Sequence, residues 1–61
     1  MDTETLEIIT ELRWTAFRMD QAARLMVKSE RHEIQKKGLD MADAKEAVLK
    51  WISGIMDEYA E

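Results

Sequence analysis

The sequence contains no cysteine and no proline, and only two glycines and one histidine among 61 residues. Without cysteine there is no disulfide framework, and a lone His32 leaves no ligand set for a structural zinc ion. Without proline, glycine is the only strong helix breaker available. Gly38 and Gly54 alone do not make a phosphate-cradling loop. No apolar run approaches the roughly 20 residues of a membrane span. The acidic opening Asp2-Thr-Glu-Thr-Leu-Glu7 is unlike the basic start of a secretory signal. These absences lead to the expectation of a cytoplasmic chain without cofactor, metal or membrane partner.

What remains is 46% hydrophobic and 36% charged, too apolar for a disordered segment. A chain this short buries a small fraction of its surface when folded alone, so self-association is the first expectation. The net charge of −4 is unevenly spread. Residues 1–12 carry Asp2, Glu4, Glu7 and Glu11 and no base, whereas residues 13–37 carry seven bases against Asp20, Glu30 and Glu33. Acids at the start and bases at the end suit the dipole of one long helix.

The sequence predicts an all-α helical hairpin: a long first helix over about 3–37, a turn at 38–40 and a second helix over about 41–60. Asp2 or Thr3 serves as the first cap. Lys36 and Lys37 suit a last helical turn, Gly38 a left-handed residue just beyond it, and Asp40 the cap of the next helix. Between residues 28 and 37 only Ile34 offers itself to a core, so a bend there, or a three-helix chain broken near 29–31, is the alternative. In the second helix Ala44, Ala47, Val48, Trp51, Ile52, Ile55, Met56 and Tyr59 form a broad apolar face. Gly54 inside that helix implies close approach of another helix, since glycine there costs about 1 kcal/mol relative to alanine.

With these boundaries the first helix outruns the second by about 20 Å and its overhang is apolar. The expected remedy is a second copy. Ile9, Leu12, Ala16, Met19, Ala23 and Met26 recur at alternating three- and four-residue spacing and mirror about a point between Phe17 and Arg18. That row is assigned as the antiparallel interface of a homodimer, which closes an antiparallel four-helix bundle. Leu6, Trp14, Phe17 and Trp51 lie off it and are the candidates for contact with another protein, aromatic side chains being favoured at such sites.

Chemistry is sparse. Ser29 and Ser53 have no histidine placed to serve both, and no thiol nucleophile exists. Glu30, His32 and Glu33, with Asp40, Asp43 and Glu46 at the same end of the hairpin, define a carboxylate metal site as the third functional reading. The second is a nucleic-acid-associated regulator using Arg24, Lys28 and Arg31, which share a stripe on a continuous first helix, against the overall acidity of the chain. Ser53 and Asp57 stand at a Ser-x-x-x-Asp spacing that resembles the small helical-hairpin aspartyl-phosphate phosphatases. The resemblance covers five residues, and the glutamine usual after the serine is replaced by Gly54. The first reading is a small non-enzymatic regulatory or adaptor protein acting through protein contacts as a homodimer.

Overall fold

Asp2 starts the first helix as expected: its carboxylate accepts the Thr5 backbone N–H at 2.8 Å, satisfying one of the free donors of the first turn. From there the apolar row carries an uninterrupted helix, α1, over Thr3–Val27. The second helix, α2, spans His32–Tyr59 and packs along α1 as an all-helical hairpin. This is a computed structural model, and it describes residues 2–59. The expected helix end near residue 60 lies outside the described residues.

The turn is not where the glycine suggested. The chain reverses over residues 28–31, and the expected turn at 38–40 is helical, with no glycine at positive φ among the described residues. Six local hydrogen bonds make the break. The N–H groups of Lys28 and Ser29 close the end of α1 onto the Leu25 and Met26 carbonyls. Ser29 Oγ accepts the Arg31 N–H at 3.1 Å, a serine turn that competes with helix. Gln35 Nε2 then reaches back to the Ser29 carbonyl at 2.7 Å, while the Arg31 carbonyl accepts the N–H groups of Ile34 and Gln35. Lys36, Lys37 and Asp40 are therefore mid-helix residues, not a C-terminal turn and a cap. The break falls near 29–31, but α2 then runs on unbroken, so there are two helices and not three.

Gly38 has a different role from the one assigned to it. It is buried in α2 where that helix crosses the end of α1, and a β-carbon placed on it would lie 2.8 Å from Met26 Cβ and 3.0 Å from Val27 Cγ1. Close helix approach, expected at Gly54, occurs at Gly38; a β-carbon placed on Gly54 would meet nothing within 4 Å beyond its own stretch of helix. Moving the turn also removes the length mismatch. The helices have 25 and 28 residues and run side by side, so the overhang of about 20 Å does not exist.

The core is thin. Ile9, Ala16, Val48 and Ile52 are buried as one cluster, with Leu12, Met19 and Ile55 packed against it and still partly exposed. Two helices touch along one stripe each, which leaves most of every other face uncovered.

Candidate interaction surface

The row Ile9, Leu12, Ala16, Met19, Ala23, Met26 is placed by the fold along α2 of its own chain: Ile9 and Ala16 are cluster residues, Leu12 and Met19 pack on it, and Met26 lies against Gly38. The row's own α2 thus occupies the side on which an α1–α1 contact was expected. Three of the six, Leu12, Met19 and Met26, keep one flank in solvent.

By the roughly 100° advance of each residue, Trp14 lies on the side of α1 opposite the buried row, and Leu6 and Phe17 lie on the flank beside it. Each is about half exposed, at 52%, 52% and 53%. The fold brings Trp14 and Phe17 together, with ring centroids 5.9 Å apart and planes at 90°, the edge-to-face arrangement aromatic pairs favour. A shallow groove lined by Thr10, Arg13, Trp14 and Phe17 runs beside them. The Thr10 hydroxyl donates to the Leu6 carbonyl at 2.8 Å, so this polar group beside the patch is already satisfied. Trp51, 60% exposed, belongs to α2 and does not join this patch.

The two sides of the seam between α1 and α2 differ. One is clasped by polar contacts: Lys45 Nζ lies 3.1 Å from Asp20 Oδ1, Arg24 Nε lies 2.9 Å from Asp20 Oδ2, and Arg13 approaches the Met56 sulfur at 3.7 Å. The Asp20 carboxyl is held below its ordinary 3.8, chiefly by the hydrogen bond from Lys45, with Arg24 adding to this and partial desolvation opposing it. A carboxyl whose folded value is depressed adds stability that is whole above its unfolded value and is lost as pH falls through the folded one. The melting temperature of the native chain should therefore fall toward that of Asp20→Asn as the pH drops from neutral to below the ordinary aspartate value of 3.8. Circular-dichroism melts across that range test this, and a gap that stays constant would remove the clasp as a stabilising element.

The basic stripe does not survive the turn. Arg24 is engaged with Asp20, Lys28 caps the end of α1, and Arg31 sits in the interhelical connection, off the helix it was expected to share. The metal reading loses its geometry for the same reason. Glu30 precedes α2, His32 and Glu33 open it, and Asp40, Asp43 and Glu46 follow on that same helix instead of facing them. Among the described residues no three His, Cys, Asp or Glu side chains gather as a metal site. Ser53 and Asp57 lie one turn apart on α2, both exposed. No helix among these residues is long and apolar enough to cross a membrane.

Spacing sets Leu6, Trp14 and Phe17 off the apolar row, but side chains as large and apolar as any in a core give no sign from sequence that they stay exposed. The missed signal lay on α2, where Ile34, Gly38, Met41, Lys45, Val48, Ile52 and Ile55 recur at alternating four- and three-residue spacing straight through the glycine. The chain matches no protein-family model, no curated protein and no solved structure.

Proposed function

We propose that this chain is a small non-enzymatic regulatory or adaptor protein that works as a homodimer, an antiparallel four-helix bundle of two hairpins, and binds another protein through the outer face of α1. The observation that carries this reading is the half-exposed edge-to-face pair Trp14–Phe17 with Leu6 one side of it. Large aromatic side chains held rigid by each other lose little entropy on binding and dominate the energetics of protein contacts. None of the three belongs to the buried cluster that joins α1 to α2, so on this reading the hairpin stands without them.

The experiment is to replace both aromatics, Trp14→Ser with Phe17→Ser, and to place a photo-crosslinking residue at Leu6 in the native and the doubly substituted background. The double variant should keep its helical content, its mass in solution and its melting temperature to within a few degrees. It should lose the crosslinked heteroprotein that the native background forms. Retention of that product by the variant, or loss of folding with it, would defeat the reading.

A further inference from the structure

The unclasped side of the hairpin is the second distinct surface, and it bears on how two copies meet. On α1 the side chains that face it are Ile8, Leu12, Thr15, Met19, Ala22 and Met26, an alternating four- and three-residue repeat without a charge. On α2 Met41, Ala44, Val48, Trp51 and Ile55 form the matching repeat, again without a charge. The one hydroxyl at the centre is not free: Thr15 Oγ1 donates to the Glu11 carbonyl at 2.8 Å, which leaves its methyl group outward. Side chains in these rows are half covered by the single hairpin, as Leu12, Met19, Ala22, Met26, Met41 and Ile55 show. The opposite side carries Arg13, Asp20 and Lys45.

We infer that this charge-free side is where a second copy of the chain docks, with α1 antiparallel to α1 of the second copy about a two-fold axis beside Thr15. The inference rests on the homodimer reading above and names its face and register. Three observations point to a second copy as the occupant. The first is area. The chain exposes 4988 Å², against roughly 4,100 Å² for a compact monomer of this mass. The excess of about 900 Å² is close to the ~800 Å² each partner buries in a standard interface.

The second is the pattern of the face, which mirrors about Thr15 and also about Phe17, and whose bordering charges pair only in the first of these registers. With the axis at Thr15, Leu12 meets Met19 of the second copy and Ile8 meets Ala22. Glu11 lies beside Arg18 of the second copy, and each pair occurs twice, so the charges bordering the apolar row are complementary. The third is Gly54. The Asp20–Lys45 bridge sets Thr15 level with Lys50 and Trp51, so the same axis passes beside Trp51 and brings Gly54 opposite Ala47 of the second copy. A helical glycine whose added β-carbon would meet no other part of its own chain within 4 Å is accounted for by close passage of the α2 helices there.

The test uses the full chain and the absence of native cysteine. Sedimentation velocity first asks whether the native chain is a dimer; a monomer at all concentrations overturns the homodimer reading itself. For a dimer, Thr15→Cys should form a disulfide-linked pair with its own kind under mild oxidation. Ile8→Cys should not do so alone, but should link to Ala22→Cys when the two are mixed. A dimer in which Thr15→Cys fails to self-link places the contact on another face and overturns this inference alone. Self-linking by Ile8→Cys makes the pairing parallel, with the same consequence. As an arm free of cysteine, Gly54→Leu should weaken dimerisation at least tenfold while the hairpin keeps its helical content; an unchanged dissociation constant would also overturn it.

Discussion

Replacing Gly38 by alanine should lower the melting temperature by roughly 5–15 °C. Alanine is the better helix former, and in an open helix the exchange would gain about 1 kcal/mol. Gly38 is not in the open. Its would-be β-carbon meets Met26 Cβ at 2.8 Å, Val27 Cγ1 at 3.0 Å and the Val27 backbone nitrogen at 3.1 Å. Two of these are a β-carbon and main chain, which move only if the helices separate. Forcing a methyl group into a packed contact costs about 1–3 kcal/mol, more than propensity returns. The connection at 28–31 adds to the constraint, since Ser29 bonds both Arg31 and Gln35 and leaves α2 little freedom to shift. Thermal unfolding followed at 222 nm decides the matter. A variant melting at or above the native temperature would show that the helices do not cross at this residue.

The same glycine explains how far the sequence could be read. The fold class, the start of α1 at Asp2 and the apolar row along α1 followed from spacing and capping, because those signals are local and mutually consistent. The turn was misassigned because Lys36-Lys37-Gly38-Leu39-Asp40 satisfies every local criterion for a helix end and a new start. What outweighs those criteria is tertiary. Gly38 occupies a core position of the α2 repeat, and its lack of a side chain admits Met26 and Val27. The true break has a weaker signature, a serine among charged residues, and becomes a turn through side-chain bonds that spacing does not reveal. Once the turn moves from 38–40 to 28–31, every inference that depended on it moves as well. The overhang disappears, the basic stripe loses Arg31, and the carboxylates expected across the hairpin from Glu30 lie on one helix. The exposed apolar side chains remain, and their explanation changes from unequal helix lengths to the narrowness of any contact between two helices.

Replacing Leu12 by aspartate should abolish cooperative folding. Leu12 packs on the cluster of Ile9, Ala16, Val48 and Ile52 and also stands in the charge-free row of the second surface, so one side chain serves both the hairpin and the proposed assembly. Truncating a fully buried leucine costs about 2–5 kcal/mol; the part-buried Leu12 lies toward the lower end, and an ionised carboxylate set against its apolar neighbours adds to this. A domain of this size holds roughly 3–9 kcal/mol in all, so the loss is comparable to the whole. No base faces the position in the repeat, since its neighbours are Ile8, Ile9, Thr15 and Ala16. The control is Leu6→Asp, the same chemical change on the half-exposed outer face of α1, which should leave helical content and melting temperature nearly unchanged. If Leu12→Asp gives a helical chain that melts cooperatively within a few degrees of the native protein, the seam between α1 and α2 is not the core. If Leu6→Asp unfolds as readily, the outer face is structural and is not available to a partner.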